Sequence, residues 1–183
     1  MPKVIEKERK TIFETDHIDI EEIKLGLASG KETTWYAAKR KFKEAVVVVP
    51  LTYKNEVVLI RQFRPPMGGY VWEFPAGIVD GEESCVEAAR RELKEETGLD
   101  GKTIRVSPRV PTSPGFSNEC IRYVFMNVAG VPTTCFNEEN EDITVKTIRI
   151  DGLDIFLELI EDPIDAKCWA IIQYLMANKG EKT

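Results

Sequence analysis

The sequence predicts an α+β domain, a mixed sheet covered by a few helices. Strand-like runs recur along most of the chain, whereas helical periodicity is confined to one central stretch and two near the C-terminal end. The 183 residues, 43% hydrophobic and 31% charged, suffice for one domain with a real core and a small appendage, but not for two large domains.

In chain order, residues 1 to 43 are charged and carry alternating runs, "HIDIEEIKLGL" and "TTWYAAKRKF", joined by the turn "ASGKE"; they read as a small N-terminal antiparallel β segment. Residues 44 to 183 read as the main domain. There "EAVVVVPLT" and "EVVLIRQFRP" are two buried strands around "YKNE", and "YVWEFPAGIV" is extended chain leading into a helix over 84–97. "KTIRVSPRV", "CIRYVFMNV" and "ITVKTIRI" are further strands, and "GLDIFLELIE" is helical. The last helix is expected to start at Asp162 as N-cap with Pro163 at N1, and to stop at Gly180.

Composition excludes several function classes. A net charge of −6 argues against a nucleic-acid binder, which needs a basic footprint. No apolar run approaches the ~20 residues that span a bilayer, and "MPKVIEKERK" lacks the apolar centre of a signal peptide. Cys85, Cys120, Cys135 and Cys168 form no C-x-x-C pair and share no ligand spacing with His17. They read as reduced cysteines of a cytoplasmic protein, not a zinc site.

The central helix carries Glu92, Glu95 and Glu96 in its last turns, just before Gly98. A helix C-terminus disfavours negative charge, and like charges three or four apart repel. Arg91 can pair with Glu95, but the excess calls for positive charge from outside the chain. Val86, Ala89 and Leu93 form the face expected to dock on the sheet, with Glu92 and Glu96 on a neighbouring stripe. Carboxylates on adjacent turns, with no Cys or His nearby, suit Mg²⁺ or Mn²⁺ better than zinc.

Gly77, five residues, Glu83, seven residues, then "RELKEETGL" from Arg91 to Leu99 resembles the complete signature box of the Nudix hydrolases. The resemblance implies an α/β/α sandwich and hydrolysis of a nucleoside diphosphate linked to another group. It also implies two or more divalent cations held by Glu92, Glu95 and Glu96, with the Ala76 carbonyl as a main-chain ligand. "RQFRPPMGGYVWEFPAG" and "SPGFSNE", with Pro114 fifteen residues beyond the box, are similar to the ADP-ribose (ADP-sugar) pyrophosphatase branch. By this resemblance Arg40 and Arg64 contact substrate phosphates, and Trp35 stacks on adenine or else fills a small core as an edge-strand aromatic. Glu73 lies near substrate or salt-bridges within the sheet, and strand alternation can send Arg61 the other way. In "CFNEENEDIT" the resemblance, here to a bacterial branch, makes Glu139 the catalytic base and Glu141 a further metal ligand, with Glu138 as runner-up. It also implies a homodimer that exchanges N-terminal strands.

The expected reaction is hydrolysis of ADP-ribose to AMP and ribose 5-phosphate. The alternatives are another substrate, such as ADP-glucose, GDP-mannose or a dinucleotide, or a non-catalytic ADP-ribose-binding domain.

Overall fold

The computed structural model of the chain describes residues 4–42, 44–133 and 142–179. Its strands are β1 (Ile5–Glu14), β2 (Ile18–Gly26), β3 (Glu32–Arg40), β4 (Ala45–Thr52), β5 (Glu56–Arg64), β6 (Gly69–Glu73), β7 (Ala76–Ile78), β8 (Asp100–Val106), β9 (Val110–Pro111), β10 (Cys120–Ala129) and β11 (Ile143–Arg149). Its helices are α1 (Cys85–Thr97), α2 (Leu153–Leu159) and α3 (Ala166–Ala177). The chain divides into two compact units, residues 1–45 with 109–121 and residues 46–108 with 122–183. A segment near the middle of the chain thus joins the N-terminal β segment, which sequence alone did not indicate.

In the first unit β1, β2 and β3 form an antiparallel sheet in chain order. The buried positions of β2 are Asp19, Glu21 and Ile23. Glu21, 3% exposed, is ion-paired to Arg9 of β1 and, at 3.2 Å, to Lys39 of β3. Lys41 lies 3.1 Å from Asp19. Charge pairing across three strands therefore does part of the work that apolar burial does elsewhere.

In the second unit the sheet order is β11-β5-β4-β10-β8, with β6 added on β5 and β7 on β4. Strand alternation sorts its side chains to two faces. Val46, Val48, Val58, Val124, Met126 and Val128 pack with Ala88, Ala89 and Leu93 of α1. The intervening residues turn the other way: Phe125 meets Tyr174 of α3, and Lys146 lies over Phe156 of α2. Helices thus cover both faces, which is the α/β/α sandwich expected.

The last helix begins later than expected. Asp165, not Asp162, is its N-cap, accepting the N–H groups of Lys167 and Cys168, and Asn178 is its C-cap. Gly180, the expected stop, lies outside the described residues. The reason is tertiary: Trp72 donates its N–H to the Pro163 carbonyl and accepts that of Asp165, so residues 163–165 run beside β6 rather than coiling. Among the described residues no helix is long and apolar enough to cross a membrane.

Candidate active site

The acidic helix α1 is fixed at both ends. The Ser84 hydroxyl accepts the Glu87 N–H at 3.3 Å while the Glu87 carboxylate accepts the Ser84 N–H at 2.7 Å, a capping box. Gly98 ends the helix in the left-handed conformation, φ 69°, its N–H reaching the Lys94 carbonyl. Fixed ends place the three glutamates in the final turns. Ala88, Ala89 and Leu93 are fully buried, whereas Val86, in the first turn, is only half-buried. Glu92 and Glu96, 9% and 2% exposed, lie within the docking face itself rather than on a stripe beside it.

Strand β7 explains how the face accepts two acids. Glu96 Oε2 accepts the Ala76 N–H at 3.0 Å. The Glu92 carboxylate rests where a side chain of residue 77 would stand: a Cβ built on Gly77 would be 1.8 Å from Glu92 Oε1. Successive backbone positions therefore seat carboxylates one helical turn apart.

Part of the positive charge that the three glutamates call for comes from within the chain. Arg91 donates to Glu92 at 2.7 Å, Glu95 at 3.1 Å, Glu83 at 2.9 Å and the Ile78 carbonyl at 3.0 Å. The Glu95 pairing was expected; the others need β7 and the 80–83 turn to fold back over the helix. The Arg91 guanidinium, helped by the Asp80 N–H, holds the Glu83 carboxyl below its ordinary range. Among the described residues no three His, Cys, Asp or Glu side chains are grouped as a metal-holding set.

Glu73, at the end of β6 and 6% exposed, accepts two bonds from Arg64, at 2.6 and 2.7 Å. This is the salt-bridging alternative for Glu73, and it holds the Arg64 guanidinium firmly protonated. Arg61 is committed elsewhere, 2.6 Å from Asp162 and stacked 3.9 Å over the Tyr70 ring. Tyr70 in turn donates to Asp142.

Trp35, Arg40 and Pro114 belong to the first unit. Trp35 is 49% exposed, so it does not fill a core. Arg40 lies 4.7 Å over the Phe42 ring, and its Nε sits 3.8 Å from Glu119 without a hydrogen bond. Pro114 is exposed in the loop between β9 and β10. Glu138, Glu139 and Glu141 lie outside the described residues.

A signature helix seated on a glycine of the sheet, under a two-faced sandwich, defines a class of protein. A family model for the NUDIX domain matches residues 41–167, and the chain belongs to that family. More particularly, an ADP-ribose pyrophosphatase of Bacillus subtilis (strain 168) is 34% identical over 183 residues, covering 97% of this chain and 94% of that protein. An ADP-sugar pyrophosphatase of Mus musculus is 45% identical over 111 residues, 56% of this chain and 51% of the mouse protein. The chain thus spans about half the length of that mouse relative. The crystal structure of an ADP compounds hydrolase matches with a TM-score of 0.80 at 21% identity, covering 97% of this chain and 96% of that one, and speaks for the fold.

Proposed function

We propose that the protein hydrolyses ADP-ribose to AMP and ribose 5-phosphate, with Mg²⁺ or Mn²⁺. The observation that carries this reading is the seating of Glu92 and Glu96 on the backbone of Gly77 and Ala76, inside an intact signature. The names of the relatives from Bacillus subtilis and mouse support the substrate.

The residues suit a hard divalent cation: Glu92, Glu95, Glu96 and the Ala76 carbonyl are all oxygen donors, and Gly77 leaves the space a carboxylate needs. Such cations, two or more in our reading, supply charge neutralisation for the pyrophosphate and Lewis-acid activation of water. Arg64, pre-set by Glu73, binds phosphate as a planar fork. Arg40, whose Nε makes no hydrogen bond, supplies a second phosphate contact. Trp35 stacks on the nucleobase beside Pro114. Glu139 takes the proton of the attacking water as its oxygen bonds to phosphorus and the P–O–P bridge breaks, with Glu141 a further ligand.

The experiment is a panel of nucleoside diphosphate sugars and dinucleotides, incubated with Mg²⁺, Mn²⁺ or EDTA, with products identified. Cation-dependent release of AMP and ribose 5-phosphate from ADP-ribose above all others is expected. Turnover centred on GDP-mannose, ADP-glucose or a dinucleotide moves the specificity, and no turnover of any overturns the reading. In the same assay Glu139→Gln is expected to lower kcat by about 10²-fold while ADP-ribose still binds; an unchanged kcat removes Glu139 from the mechanism.

We also infer a homodimer built on exchange of N-terminal strands, because all ten residues of β1 are exposed, Ile5 and Phe13 each 63%. The free thiols of Cys85, Cys120 and Cys168 support a cytoplasmic setting.

A further inference from the structure

In the first unit the loop between β9 and β10 is bonded to β3 along its length. Trp35 Nε1–H donates to the Gly115 carbonyl at 3.1 Å, the Ala38 N–H to the Phe116 carbonyl at 2.8 Å, and the Arg40 N–H to Asn118 Oδ1 at 2.7 Å. The Asn118 amide also donates back, Nδ2 reaching the Arg40 carbonyl at 3.3 Å. Ala38 and Ser117 form a parallel bridge, so loop and strand run side by side.

The loop is also tied to itself. The N–H groups of Phe116 and Ser117 both reach the Ser113 carbonyl, at 2.9 and 2.8 Å. Thr112 Oγ1 donates to Glu119 Oε2 at 2.7 Å. A loop bonded internally and to a strand keeps its shape, and the Gly115 carbonyl is therefore a fixed acceptor.

That acceptor governs Trp35. An indole half in solvent would ordinarily sample several rotamers, but this one is held through its only donor. With the N–H committed to Gly115, the ring offers its faces to a ligand and no hydrogen bond. We propose that the 113–119 loop is a positioning clamp for the Trp35 ring, with Asn118 as its latch. The ligand class is a planar nucleobase, and the proposal rests on the base-stacking reading given above. Asn118 grips the main chain of Arg40 and touches no substrate itself; its effect is read through the ring by comparing backgrounds with and without Trp35. Holding one side chain in its bound pose is worth roughly two- to tenfold in binding.

The test combines kinetics with ¹⁹F NMR of protein carrying 5-fluorotryptophan. Asn118→Ala is expected to raise KM for ADP-ribose about three- to tenfold, and kcat to fall by less than that. In a Trp35→Ala background the same substitution is expected to shift KM less than about twofold, because the group it acts through is gone. Asn118→Asp keeps the acceptor for the Arg40 N–H but loses the donor to the Arg40 carbonyl, and is expected to restore only part of the loss. Trp35→Phe, which keeps a ring but removes the tether, carries the test should Asn118→Ala not fold, and its KM is expected to rise similarly. The ¹⁹F signal of Trp35 is expected to shift or broaden in Asn118→Ala while those of Trp72 and Trp169 stay in place. An unchanged Trp35 signal, or an Asn118→Ala penalty that persists in full without Trp35, overturns the clamp. A wild-type protein that does not turn over ADP-ribose overturns the proposed activity instead, and the Trp35 signal still decides the clamp.

Discussion

Position 77 decides how near the acidic helix can come to its strand. A methyl group there would overlap the Glu92 carboxylate, so either the acid or the helix must give way. Gly77→Ala is therefore expected to lower kcat by about 10²-fold, the usual effect of misplacing a reacting group by an ångström. The check is a kcat measurement beside a thermal melt; wild-type kcat would show that Glu92 need not sit there. The residues of the signature were legible because they are defined by spacing along the chain. The reach of Arg91 was not, since Glu83 and the Ile78 carbonyl come to it only once β7 and its turn fold over the helix. The sequence does not choose between the two roles of Glu73 for the same reason, its Arg64 partner lying nine residues away across the β5–β6 pair.

Among the elements, α1 depends on its caps because its own charges oppose it. Ser84→Ala removes one arm of the capping box and is expected to cost about 1 kcal/mol, or a fall in Tm of roughly 2–4 °C. Calorimetry checks this, and an unchanged Tm would mean that packing alone sets the helix start. β2 gives the pH prediction. Burial works against the Glu21 charge, but bonds from Arg9 and Lys39 outweigh it and hold the carboxyl below its ordinary value. A depressed value means stability that is present above the unfolded-state pKa of about 4.3 and is lost as pH falls through the lower folded value. Urea melts at roughly pH 5.5 and roughly pH 3.5 should show a smaller loss in Glu21→Gln than in wild type, and an equal loss would place the acid sensitivity elsewhere. The larger sheet was readable because Val46–Val49 and Val57–Ile60 are wholly buried apolar runs. β1 was not, since a strand exposed throughout carries no alternation of burial. Nor was the start of α3: the expected cap, Asp162, is taken by Arg61, and the attachment of residues 163–165 to Trp72 moves the start to Asp165.

For the molecule as a whole, the exposed β1 gives a prediction of mass. A long edge strand displaying Ile5, Ile12 and Phe13 invites another chain. Light scattering is expected to return twice the 20.8 kDa of the chain, and Phe13→Asp combined with Ile5→Asp to return a single copy. A monomeric wild-type protein would end the dimer reading. The attachment of Trp72 to Pro163 and Asp165 has a different consequence, for the order in which the protein assembles. It joins residues roughly ninety apart in the chain, and contacts of that span close slowly. The capped helix α1 and the Arg64–Glu73 hairpin need only near neighbours in sequence. During synthesis both can form before residue 163 has left the ribosome, leaving the Trp72 amide to wait for its acceptor until the end of the chain arrives.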